Sequence, residues 1–353
     1  LSVSYEKVAD VHLSQGDLPG ALSEFEVART ILQRLAAKDL TSDEWQFALW
    51  VIDNSVGDVR LEQGDLARAL EEYRAGLVIM EKLAAKDPAD TRSQRRLALS
   101  YDRIGAVLLD QGDLSSALRE YRASLAIGEK LAALDPANTD WLSDLSFSYQ
   151  QVGDVMLKQR DRVEALGKYR AALAIRQRLV AKDPINSDWQ RDLSVTHNKV
   201  GNVFEEQGDR VGALREFRAS LTIRQALAAK DWTNDGSQRD LSVSHTAVGD
   251  MLLAQGDLSG ALAEYRANLS VRKKLAVKDP THTGRQNFVA VSHGKVGDVL
   301  LKQGNLAGAL EEYRASLAIT EKLTAEDPAN ADWSKAATEM RRKVATCCGP
   351  RRD

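Results

Sequence analysis

The chain repeats itself at a fixed period. A Gln-Gly-Asp tripeptide or a near-copy begins at Gln15, Gln63, Gln111, Gln159, Gln207, Gln255 and Gln303, and every step is 48 residues with no insertion or deletion. A chain of 353 residues would ordinarily divide into two or three domains. A constant period overrides that expectation, because each copy is one supersecondary unit that buries its apolar face only against its neighbours. The register gives units at 1–44, 45–92, 93–140, 141–188, 189–236, 237–284 and 285–332, then a single capping helix at 333–349 and a flexible tail at 350–353.

Within a unit the apolar spacing is helical. In the second copy Leu49, Ile52, Val56 and Val59 recur at steps of three and four, as do Leu145, Val152, Val155 and Met156 in the fourth. Such steps place the side chains on one helix face. The second half of the unit repeats the pattern through Ala69, Leu70, Tyr73, Leu77, Ile79 and Leu83. Between the halves, Gly64 suits a left-handed helix end and Asp65 suits a helix start, where its carboxylate accepts from free N–H groups. Pro88 stops the second helix. Each unit is therefore a hairpin of two helices near 19 residues, about 28 Å long. No stretch shows the alternation of a strand. The predicted fold is all-α.

At this point the residues resemble a known family. Val56-Gly57, the Gln63-Gly64-Asp65 turn, Ala69, Tyr73 and Gly76 are similar to the tetratricopeptide-repeat pattern, and the likeness recurs in all seven copies. The aromatic of the second helix is Phe25, Tyr73, Tyr121, Tyr169, Phe217, Tyr265 and Tyr313. Small residues at Gly57, Gly105, Gly153, Gly201, Gly249 and Gly297 let helices approach closely. The unit departs from the family's 34 residues by being 48 long, so the resemblance is to an elongated variety. It implies a right-handed α-solenoid, a superhelix of stacked antiparallel helical hairpins. It also implies a protein- or peptide-binding scaffold or adaptor, whose first helices line a concave groove, serving as the sensor or regulatory part of a larger protein.

Composition narrows the partner classes and supplies no chemistry. With 48 basic and 51 acidic residues the formal net charge is −3, which does not suit nucleic acid or a membrane surface as partner. No apolar run approaches the roughly 20 residues that span a bilayer, and a cytoplasmic setting is expected. Cys347 and Cys348 are the only cysteines, too few for a disulfide framework. There is no phosphate loop, nucleophile elbow or metalloprotease motif. The expectation is a non-enzyme with no cofactor and no metal. His197, His245 and His293 share one repeat position, but neighbouring helices sit about 10 Å apart, too far to share an ion. A flat ring packed in place of Tyr5, Tyr101 and Tyr149 is the better reading.

Two positions four apart on the first helix carry a polar stripe. The groove expected from the resemblance places Asn54, Asp58, Asp102, Gln150, Asp154, Asn198, Asn202, Asp250 and Asp298 on its floor. As ligand contacts they would accept from basic side chains or peptide N–H groups, so a basic protein or extended peptide is the expected partner. The alternative is a solvated face, or Asp pairing locally with the arginine row of Arg74, Arg122, Arg170, Arg218, Arg266 and Arg314. Trp45, Trp141, Trp189 and Trp333 open their units as packing anchors, whereas Trp50 and Trp232 break the pattern. Leu1 matches the fifth position of a unit, and the N-terminal face has no counterpart of the basic capping helix. Self-association through that face is the competing role.

Overall fold

A computed structural model describes residues 1–39 and 42–348. Among the described residues there are fifteen helices and no strand. They form two compact units that divide inside one helix, between Leu179 and Val180. The first holds α1 (Ser2–Ser14), α2 (Leu18–Lys38), α3 (Asp43–Glu62), α4 (Leu66–Lys86), α5 (Thr91–Asp110), α6 (Leu114–Leu134), α7 (Thr139–Lys158) and most of α8 (Arg162–Lys182). The second holds α9 (Ser187–Glu206), α10 (Arg210–Lys230), α11 (Asp235–Ala254), α12 (Leu258–Lys278), α13 (Thr283–Lys302), α14 (Leu306–Glu326) and α15 (Ala331–Cys348). From α1 to α7, and again from α9 to α15, each helix packs on the next. Each unit is thus a stack of hairpins, an α-solenoid, in which odd-numbered helices lead and even-numbered helices trail. Gly349 and the tail expected at 350–353 lie outside the described residues.

The turns are built as the repeat predicts. Gly64 has a φ of +78°, and the Asp65 carboxylate accepts from the Arg68 N–H at 3.1 Å. In the fourth copy Arg160 takes the same left-handed backbone at a φ of 66°. That conformation costs a residue with a Cβ roughly 1–2 kcal/mol. Leading helices begin with their own caps: Asp90, Asn138, Asn186 and Asn234 each accept from backbone N–H groups of the first turn.

What fixes six of the hairpins is a ring against bare backbone; the first has Ala9 at the glycine position. A Cβ built on Gly57 would stand 2.5 Å from Cε1 of Tyr73, and one on Gly249 would stand 2.7 Å from Cε1 of Tyr265. The same pairing joins Gly105 to Tyr121, Gly153 to Tyr169, Gly201 to Phe217 and Gly297 to Tyr313. Tyr121 and Tyr313 are wholly buried. Between hairpins the leading helix contributes Ile52, Val56 and Val59, all at most 1% exposed. The trailing helix supplies Met80 and Ala84 to the core, whereas Leu77, Ile79 and Leu83 are half-buried. The first leading helix is the exception: Val8 and Val11 are 44% and 54% exposed, although their counterparts Val56 and Val59 are buried.

Gly249→Ala should lower stability by about 1–2 kcal/mol, because overpacking against the Tyr265 ring outweighs the gain in helix propensity. The urea midpoint measures this. An unchanged or higher midpoint would show that the ring does not press on the helix backbone.

Candidate functional site

The residues forecast for the groove lie on the leading helices, and four of the aspartates have the same partner. The hydroxyl of Tyr73 donates to Asp58 Oδ1 at 2.5 Å, that of Tyr169 to Asp154 at 2.6 Å, and that of Tyr313 to Asp298 at 2.8 Å; Tyr265 donates likewise to Asp250. A cation from the following leading helix completes the set. Arg103 reaches Asp58, Lys295 Nζ lies 2.5 Å from Asp250, and Lys343 Nζ lies 2.6 Å from Asp298. Asp58, Asp250 and Asp298 thus pair locally with a tyrosine and with a cation of the next leading helix. Where the carboxylate is missing the set changes together. The third copy has Ala106, and there Gln151 Nε2 donates straight to the Tyr121 hydroxyl at 3.2 Å. The fifth has Asn202 with Phe217 and, at the cation position, Ala247. Asn202 is exposed. Asp58, Asp250 and Asp298 keep 40–48% of their side chains open to solvent, so each also faces outward.

The second polar position lies deeper. Asn54 is buried and donates to the Trp50 carbonyl at 2.6 Å. Gln150 Oε1 accepts from Arg176 at 2.7 Å, and the Asn198 amide oxygen, turned toward it, accepts from Arg224 Nη1 at 2.9 Å. Asp102 is half-buried, and its Oδ1 is enclosed without a hydrogen-bond partner. Burial pushes the Asp102 carboxyl up to about 7; the Ser124 hydroxyl opposes this and the charge of Asp144 adds to it. The arginines beneath this position were not anticipated. The signal was present, since the repeat position reading Leu32, Met80 and Gly128 becomes Arg176, Arg224 and Arg272 before Thr320. Three long cations at a core position of the 48-residue register mark a polar floor.

Leading helices also carry a feature that the polar stripe concealed. Seven residues before each Asp58-type position, and so on nearly the same face, every copy has an apolar residue: Val3, Val51, Leu99, Phe147, Val195, Val243 and Val291. Leu99 and Phe147 are each 43% exposed in the first unit, Val243 and Val291 49% and 50% in the second. Beside Val291, Gly294 opens a cleft of about 210 Å³ bordered by Ser316, Thr320, Met340 and Lys343.

Comparison with known proteins places this geometry. The family model described as tetratricopeptide repeat matches residues 97–135, which cover most of α5 and all of α6. That hairpin shares its register with the other copies and its ring-on-glycine contact with five of them. A tetratricopeptide repeat is thus matched in one hairpin of the array. The chain's fold is similar to that of BtubC (BKLC) from P. vanneervenii, at 20% identity and a TM-score of 0.57, over 73% of this chain and 92% of that one. It is also similar to the apo form of RapI, at 12% identity and a TM-score of 0.51, over 84% and 98% of the two chains. No curated protein matches it in sequence.

Elsewhere the array uses polar groups to join its own helices. His197, His245 and His293 each pair through Nδ1 with a glutamate of the same hairpin, Glu216 at 2.8 Å, Glu264 at 2.6 Å and Glu312 at 2.5 Å. In the second copy the equivalent pair is Asp53 and Glu72, bridged by Arg29, which lies 3.4 Å from the first and 2.7 Å from the second. Burial raises Asp53 to about 6, with Arg29 opposing. Trp50 is buried, donating to Ser100 Oγ at 2.8 Å, whereas Trp232 is 72% exposed. Trp45, Trp141, Trp189 and Trp333 are half-buried. Cys347 is half-buried and Cys348 exposed, both as free thiols. Among the described residues no helix is long and apolar enough to cross a membrane.

Asp102 makes a pH prediction. Its carboxyl ionises near 7 in the fold and near 3.8 unfolded, so stability falls as pH rises between those values and stays low above them. Asp102→Asn should therefore stabilise the array at pH 8, by roughly 2–4 kcal/mol, and much less at pH 4. Urea midpoints at the two pH values check this. Equal effects at both would remove the buried charge from the account.

Proposed function

We propose that the array is a scaffold that holds a protein or an extended peptide along its leading-helix face. Tetratricopeptide repeats are scaffolds of this kind, and one observation supports the reading here: the leading helices keep an apolar residue at one repeat position, and in most of them it is exposed. Leu99, Phe147, Val243 and Val291 leave 43–50% of their surface exposed. Apolar side chains gain about 25 cal/mol per Å² when a partner covers them. Flanked by the Asp58-type carboxylates and the cations of the next hairpin, they combine apolar contact with acceptors for N–H groups and basic side chains. A surface repeated once per hairpin suits an extended ligand better than a compact one.

The experiment is selection of peptides from a random library against the full chain, followed by binding to Val243→Glu/Val291→Glu. Both residues are exposed, so helix content and urea midpoint should stay near the parent values while affinity falls at least about tenfold. Selection of no peptide, or equal affinity for the double variant, would contradict the reading.

A further inference from the structure

Two hairpins 96 residues apart carry the same polar set with one exchange. In the second compact unit Arg224 is only 6% exposed, and its guanidinium is fully engaged. Nε donates to Ser194 Oγ at 3.1 Å, and Nη1 donates to the Asp240 carbonyl and to Ser244 Oγ, each at 3.0 Å. The Asn198 amide oxygen accepts from both Nη1 and Nη2, at 2.9 and 3.0 Å. A planar guanidinium requires several acceptors spread around its rim. These four residues supply them.

In the third hairpin and the leading helix after it, all within the first compact unit, the counterparts of Asn198, Ser220, Asp240 and Ser244 are Asp102, Ser124, Asp144 and Ser148. The hydroxyls of Ser124 and Ser148 lie 3.3 Å apart, as those of Ser220 and Ser244 lie 3.5 Å apart. The acceptors are thus preserved, and the amide has become a carboxylate, a stronger acceptor for a cation. Ser194 alone is lost, to Ala98. What has changed is the donor: the residue equivalent to Arg224 is Gly128. A Cβ at Gly128 would meet only Leu145, at 3.4–3.8 Å, and its φ is not in the left-handed region. Neither backbone nor close contact demands glycine there. Asp102 Oδ1 meanwhile is enclosed with no partner. The charged neighbour acting on Asp102 is a second carboxylate, Asp144, itself held by Arg95 at 2.5 Å. Burying a carboxylate oxygen without a donor is costly, so the fold keeps it there at a loss.

We propose that the acceptors around Asp102, between α5, α6 and α7, receive an arginine side chain from the bound polypeptide, whose guanidinium stands where the Arg224 counterpart would stand. Asp102 belongs to the polar stripe of the leading helices, so the proposal rests on the assignment of that face to the partner. It narrows the partner's chemistry: an exposed arginine supplies the fork of donors that the hydroxyls, the Asp144 carbonyl and the carboxylate are spread to accept. A lysine ammonium satisfies the charge and not the spread.

The test is an NMR titration of the full chain with acetyl-Gly-Arg-Gly-amide, followed at the amide signals of Ser124 and Ser148. The citrulline and lysine tripeptides serve as controls. The arginine peptide should shift both signals saturably, and the neutral citrulline peptide should bind about tenfold or more weakly. Asp102→Asn should weaken the arginine peptide by a similar factor, and Gly128→Arg, which supplies the side chain internally, should abolish the response. Should Gly128→Arg fail to fold, Asp102→Asn decides the matter alone. Arginine and citrulline peptides that titrate alike, or an Asp102→Asn chain that binds as the parent does, would overturn the proposal. Library peptides that bind the leading-helix face without arginine would overturn it too, and would leave the scaffold reading intact. A library that yields no binder removes the scaffold reading, whereas the tripeptide titration judges the arginine site separately.

Discussion

From the second hairpin on, the two helices stand at the separation that one aromatic ring permits against a helix lacking a side chain. Six glycines of the leading helices meet the rings of their trailing partners at distances that no Cβ tolerates. That contact sets the distance between the two helices and so the direction in which the remaining apolar positions point. Ile52, Val56 and Val59 then meet the neighbouring hairpin as one buried row. Where the ring carries a hydroxyl, the hydroxyl is used a second time. It donates to an aspartate that also binds a cation of the next leading helix, so one residue type ties helix to helix and hairpin to hairpin.

This economy explains how much of the fold was legible from sequence. The period, the turn at Gly64-Asp65 and the helical class all depend on near neighbours in the chain and are as the sequence suggests, whereas the seating of the ring on glycine emerges only in the fold. The share of the trailing helix in the core was less clear. Leu77, Ile79 and Leu83 look like core residues, yet Met80 and Ala84 are the buried ones, because packing between hairpins and not hydrophobicity alone selects the face.

The polar stripe was legible as a location and not as a set of roles. Asp58, Asp154, Asp250 and Asp298 read as free acceptors, but their tyrosine partners sit 15 residues away on another helix. Spacing within one helix does not reveal such a partner. Covariation inside the chain does: Ala106 occurs with Gln151, and Asn202 with Phe217 and Ala247. The exposed apolar row was equally visible, as a hydrophobic residue present at the same place in every copy, and was masked by the attention that charged side chains attract. The buried arginines and the glycine that replaces one of them acquire meaning only when copies are superposed.

The account centres on the leading helices as the surface that meets a partner, with the trailing helices and the interior given over to holding the array together. Photo-crosslinking tests this most directly. A library-selected peptide carrying a diazirine would be bound to the full chain, irradiated, and its attachment sites read by mass spectrometry. The account predicts adducts on leading helices, near Leu99 and Phe147 in the first unit or near Val243 and Val291 in the second. Adducts confined to the outer faces of α4, α6, α10, α12 or α14 would contradict it.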